Sequence, residues 1–117
     1  MSDAGAGTRR LTVGTLADLP AGTLAMVQVD GTDILLANVD GRVYATQGVC
    51  SHEYFELDKG FLTGDSITCA WHLSRFDLET GEALDPPAEL PLATYPVLIE
   101  GDQVLLELPE GEIPVNQ

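Results

Sequence analysis

Two short segments hold every cysteine and every histidine of the chain: Cys50-Ser51-His52 and, after sixteen intervening residues, Cys69-Ala70-Trp71-His72. Whatever the fold, it must bring both segments to one point. Two thiolates and two imidazoles at such short spacings form a ligand set for a single metal centre. Two cysteines in a reducing compartment are an unpromising structural disulfide, so metal is the better use of them.

The segments around these pairs have the pattern of strands and turns. Thr23 to Val29 and Ile34 to Val39 are rich in apolar and β-branched residues, with Asp30-Gly31 between them as a turn. Asp40-Gly41 leads into Arg42 to Thr46, which alternates apolar and polar residues and closes a second hairpin. Lys59-Gly60 and Gly64-Asp65 bracket Phe61-Leu62 ahead of Ser66 to Cys69, and Arg75 to Leu78 and Glu82 to Leu84 flank Glu79-Thr80-Gly81. Beyond Pro86-Pro87, Tyr95 to Ile99 and Gln103 to Leu108 straddle Gly101-Asp102. Leu16 to Leu19 before Pro20 suits one helical turn, but no longer window repeats at helical spacing. The expected fold is therefore all-β, a small domain of packed antiparallel sheets. The ligand-bearing hairpins, about residues 48–88, form a subdomain inserted into a framework spanning 11–108. Residues 1–10 are expected to be mobile and 109–117 to form a C-terminal tail.

Size and charge exclude several functions. At 117 residues the chain is one domain, too small for a core plus a separate catalytic domain. There is no run of 18 apolar residues and no basic-then-apolar start, so a cytoplasmic protein is expected. Nineteen Asp and Glu against five Lys and Arg give a formal net charge of -14. Nucleic acid and anionic membrane are poor partners for that surface. A protein with a basic docking patch is a better one, through fast and salt-sensitive encounters, although acidity alone also serves solubility.

Tetrahedral zinc accepts two cysteines and two histidines, but a zinc finger pairs cysteine with cysteine and histidine with histidine. Here each loop carries one of each. That suits a binuclear cluster in which one iron takes both thiolates and the other both imidazoles. The surrounding residues follow suit. Asn38-Val39-Asp40-Gly41, Tyr44-Ala45-Thr46-Gln47, Gly60-Phe61-Leu62-Thr63-Gly64-Asp65, Phe76-Asp77, Thr80-Gly81, Pro86-Pro87 and Tyr95-Pro96-Val97 stand in a familiar order around the two pairs. In these residues the chain resembles Rieske-type ferredoxins of multicomponent aromatic-ring dioxygenase systems, over about residues 11–108.

The resemblance implies one [2Fe-2S] cluster, with Cys50 and Cys69 on the inner iron and His52 and His72 on the outer. It implies electron transfer from an NAD(P)H-dependent flavoprotein ferredoxin reductase to a terminal ring-hydroxylating oxygenase, by a monomer that is not itself an enzyme. An oxygenase of the superfamily also needs a mononuclear iron on two histidines and a carboxylate, and both histidines here are already used. High-potential respiratory relatives carry extra cysteines, plus a serine and a tyrosine donating hydroxyls near the cluster. Ser74 can supply one hydroxyl, but Phe76 stands in the tyrosine's place and has no donor, so a potential at the low end is expected. Many members have glycine directly after each ligand pair, where this chain has Glu53 and Leu73; such side chains must be accommodated or pointed outward. Phe55, Leu73 and Pro86 are expected to form an apolar docking collar around the histidines, and Pro86-Pro87 a rigid third loop over the cluster. Two other readings stay open: a Rieske small subunit held permanently in a complex, as in nitrite reductases, and a zinc-stabilised interaction module.

Overall fold

The computed structural model describes residues 8–50, 56–70, 73–85 and 90–115. It holds ten strands, β1 (Thr8–Thr15), β2 (Leu24–Val29), β3 (Thr32–Val39), β4 (Arg42–Gln47), β5 (Phe61–Thr63), β6 (Ser66–Thr68), β7 (Arg75–Asp77), β8 (Thr94–Tyr95), β9 (Val97–Glu100) and β10 (Gln103–Pro109). They form three sheets, ordered β1-β10-β9, β2-β3-β4-β8 and β5-β6-β7. Every strand pairing is antiparallel, as expected of consecutive hairpins. No helix among the described residues is long and apolar enough to cross a membrane.

The continuous apolar run of β3 has a specific cause. Successive side chains of a strand point to opposite faces, and here both faces are covered. Ile34 and Leu36 enter one core cluster with Val29, Val43, Ala45, Tyr95, Val104, Leu106 and Leu108. Leu35 and Ala37 enter a second with Cys50, Leu57, Ile67, Cys69, Phe76, Leu78 and Leu92. β3 is thus the wall shared by the two cores: the β1-β10-β9 sheet packs on one side of it, the ligand-bearing hairpins on the other. Burying each large aliphatic side chain here contributes about 1.5–3 kcal/mol.

Several boundaries differ from expectation. β1 begins inside the segment expected to be mobile, because Thr8, Arg9 and Arg10 already pair with Pro109, Leu108 and Glu107. Tyr95 to Ile99 is two strands in different sheets, since Pro96 lacks an amide hydrogen and breaks the ladder. The helical turn near Leu16 is a single 3-10 turn over Leu16–Asp18, capped by the Thr15 hydroxyl, which accepts from the Asp18 amide at 3.4 Å.

Beyond β10 the chain stays on the framework. Ile113 is buried in the first cluster, and the Tyr95 hydroxyl donates to the Pro114 carbonyl at 2.5 Å. Burial pushes the Tyr95 phenol up from 10.0 to about 12. Above pH 10 the unfolded chain would ionise this phenol while the folded one keeps it neutral. The linked stability is therefore full below pH 10 and lost as pH rises toward 12. The unfolding midpoint is expected to decline across that window, and Y95F to flatten the decline. An equally steep decline in Y95F would contradict the assignment.

Candidate metal centre

Both cysteines are buried, Cys50 at 4% exposure and Cys69 at 1%, and neither forms a disulfide. Nineteen residues apart in sequence, they meet in one apolar cluster because Cys50 follows β4, the strand paired with β3, and Cys69 follows β6, whose sheet packs on β3. His52 and His72 lie outside the described residues, as do Glu53, Phe55, Trp71 and Pro86-Pro87.

Each loop is closed at its base. After β4, the Gly48 amide donates to the Asp33 carbonyl at 2.8 Å, and the Gly48 carbonyl accepts from the Leu57 amide at 2.8 Å. Val49 then bridges Glu56 antiparallel, so Cys50 is the first residue inside a loop whose stem is fixed. A side chain at Gly48 would collide with Met26 Sδ at 2.5 Å and the Asp33 backbone at 2.9 Å, which explains the glycine. In the second loop, the Cys69 amide donates to the Ser74 carbonyl and the Leu73 amide to the Cys69 carbonyl, both at 2.9 Å. These bonds set Ser74 opposite Cys69, one step beyond the Thr68–Arg75 pair of the β6–β7 ladder. Ser74 is buried and hydrogen-bonded to Cys69 through its carbonyl, and Phe76 is wholly buried in the apolar cluster that holds Cys69.

Where the chain returns toward β7 the backbone is left-handed, at Leu73 with φ of 61°. Its side chain is 61% exposed, pointed outward rather than folded into the loop. A non-glycine residue in this conformation costs about 1–2 kcal/mol, while glycine loses about 0.5–1 kcal/mol more backbone entropy. L73G is therefore expected to stabilise the fold by about 0.5–1 kcal/mol in urea unfolding. A loss of stability would show that the exposed leucine has packing that its position does not reveal.

The segment carrying Pro86-Pro87 is anchored where it departs. Arg75, the first residue of β7, donates from Nε and Nη2 to the Asp85 carboxylate at 2.7 and 3.2 Å, and from its backbone amide at 3.2 Å. Hydrogen bonding to Arg75 holds the Asp85 carboxyl below its usual range. Sequence patterns do not single out this pair, nor any role for Gln47, which is buried at the end of β4.

Buried thiols in apolar surroundings, each at the mouth of a fixed loop and neither consumed by a disulfide, fit the thiolate half of a mixed-ligand iron–sulfur centre. The comparisons agree. The model of the Rieske [2Fe-2S] domain matches residues 9–96. The ferredoxin component of the naphthalene 1,2-dioxygenase system of Pseudomonas aeruginosa is 41% identical over 93 residues, 80% of this chain and 89% of the relative. The ferredoxin of carbazole 1,9a-dioxygenase from Nocardioides aromaticivorans IC177 superposes with a TM-score of 0.79 at 32% identity, covering 83% of this chain and 95% of that one. A solved complex of reduced oxygenase and oxidized ferredoxin in carbazole 1,9a-dioxygenase matches with a TM-score of 0.79 at 30% identity, over 83% and 91% of the two chains. The chain belongs to the Rieske [2Fe-2S] domain family and, within it, to the ferredoxins of ring-hydroxylating dioxygenase systems.

Proposed function

We propose that this protein is a one-electron shuttle, accepting electrons from a flavoprotein reductase and delivering them to a terminal aromatic-ring oxygenase. Cys50, His52, Cys69 and His72 would hold its cluster. The observation that carries this reading is the meeting of Cys50 and Cys69 in one apolar cluster, each beside a loop closed at its base. When bound, a Rieske cluster supplies reversible one-electron chemistry at a potential raised by its neutral imidazole ligands.

The chain's own residues would shape that chemistry in two ways. Leu35, Leu57, Ile67, Phe76 and Leu78 surround the thiols with hydrocarbon and keep water from them. Phe76 offers no hydroxyl, which favours the low end of the range of about -150 to +300 mV known for such centres. An EPR-monitored redox titration of the reduced protein tests both points. The expected result is the spectrum of mixed histidine–cysteine ligation with a midpoint below zero. A midpoint far above zero would contradict the role given to Phe76, and a colourless protein holding zinc would overturn the function.

Docking would follow from charge and from the loop tips. All five basic side chains are engaged in ion pairs: Arg9 with Asp30, Arg10 with Glu107, Arg42 with Glu79, Lys59 with Glu56 and Arg75 with Asp85. The remaining acidic surplus would steer the protein, as a monomer in the cytoplasm, toward a basic face on its partners. Leu73 is the exposed apolar contact beside His72 in sequence. L73A is expected to slow reduction of the oxygenase severalfold while leaving the EPR spectrum intact.

A further inference from the structure

We propose that Gln47 is a positioning residue for the cluster, fixing the peptide that leads into Cys50 to the strand by which the chain returns from the third loop. The proposal rests on reading Cys50 as a ligand. Gln47 has no solvent exposure. Its backbone amide donates to the Ala93 carbonyl at 2.8 Å, and its side-chain Oε1 accepts from the Ala93 amide at 2.7 Å. The other end of the same carboxamide, Nε2, donates to the Val49 carbonyl at 3.0 Å.

One end must accept and the other donate, which a carboxamide does whatever the pH; an ionised carboxylate lacks the donor, and an aliphatic side chain of similar size lacks both. The Val49 carbonyl belongs to the planar trans peptide that also contains the Cys50 amide. Holding that oxygen therefore fixes the opposite direction of the Cys50 N–H. Amide groups around cluster sulfurs are among the features that tune an iron–sulfur potential, so the direction of this one matters.

Neighbouring contacts leave this peptide to Gln47. Gly48 is already held on both its polar groups, by Asp33 and Leu57, and a side chain there would clash with Met26. Val49 is the last residue before the thiol, and its carbonyl is held by the Gln47 side chain. The far partner, Ala93, lies 46 residues on, at the end of the segment that leaves the second ligand hairpin at the Asp85–Arg75 pair. That segment is thus tied at its departure to the strand following the second ligand loop, and at its return to the strand preceding the first. The return tie is part-buried and the departure tie exposed.

The test uses the cluster-loaded protein and the variants Q47L and Q47E. Q47E, measured at a pH alkaline enough to ionise the new carboxyl, can still accept from the Ala93 amide but presents an unprotonated oxygen to the Val49 carbonyl, and it serves alone if Q47L does not accumulate as folded protein. Both are expected to shift the EPR g values and the midpoint potential, and to release iron to a chelator roughly tenfold faster, the worth of one hydrogen bond. Loss of the cluster with the strand signal kept in circular dichroism would support the proposal in stronger form. L106A, which weakens only the first core cluster, is the control: it should lower the unfolding midpoint and leave the spectrum alone. The proposal is overturned if Q47L and Q47E behave like L106A, or like the parent protein. Failure of the ligand reading is separately visible, because the parent protein itself would then lack the mixed-ligand spectrum.

Discussion

Replacing Gly81 by alanine is expected to destabilise the protein by about 2–5 kcal/mol, a large part of the 5–15 kcal/mol that holds a domain of this size together. Two separate costs meet at this position. Its φ is 82°, where a side chain costs about 1–2 kcal/mol. A Cβ would also lie 2.0 Å from the Leu92 carbonyl oxygen, and overpacking of this kind costs typically about 1–3 kcal/mol. The clash cannot be relieved cheaply. The Leu92 amide donates to the Gly81 carbonyl at 2.7 Å and the Gly81 amide donates to the Asp77 carbonyl at 2.7 Å, so moving either strand breaks a hydrogen bond. Leu92 is moreover buried in the cluster that contains both cysteines. G101A separates the two costs, because φ at Gly101 is 63° but nothing lies within 4 Å of the added carbon. Denaturant unfolding should place G101A about 1–2 kcal/mol below the parent and G81A well below that. Equal effects would mean that the close approach of Leu92 yields without cost.

The sequence made some of these features visible and hid others, for reasons that differ residue by residue. The hairpins from β2 to β4 and from β5 to β7 are local, with Gly and Asp at the turns except at the ligand loop between β6 and β7, and each strand's partner is its neighbour in the chain. β1 was hidden: only Leu11 and Val13 alternate in it, the register shifts between Thr12 and Gly14, and its residues pair 88 to 101 positions away on β10. Tertiary pairing decides such a strand, not its own pattern. The ligand pairs were legible because thiol and imidazole are rare and their spacing is chemical. Leu73 was legible only as a departure from pattern; its left-handed backbone and outward side chain are seen only where the chain returns toward β7. Gln47 was visible only as one residue of the Tyr44-Ala45-Thr46-Gln47 stretch, with nothing to mark its role. A buried carboxamide can be understood only once both of its partners are known, and Ala93 is far along the chain.

C69S is expected to abolish the cluster while sparing the framework. Serine keeps the size of cysteine but offers a hydroxyl in place of a soft thiolate, and iron–sulfur clusters are held by thiolate. Cys69 also occupies the most protected place of the two, at 1% exposure, so no water could take over its role without disrupting the apolar cluster around it. Iron content and the EPR signal of C69S should therefore fall to background, and those of C50S with it. The first core cluster contains neither cysteine and joins β1, β10 and β9 to β2, β3, β4 and β8. Those strands should keep their circular dichroism signal. The ligand hairpins should become more susceptible to proteolysis, because metal binding and local folding share one free energy. Fragments ending near residues 48 and 88 are the expected products. Retention of a mixed-ligand spectrum in C69S would remove this cysteine from the site; loss of the whole fold would instead show that the two cores on either side of β3 are one cooperative unit.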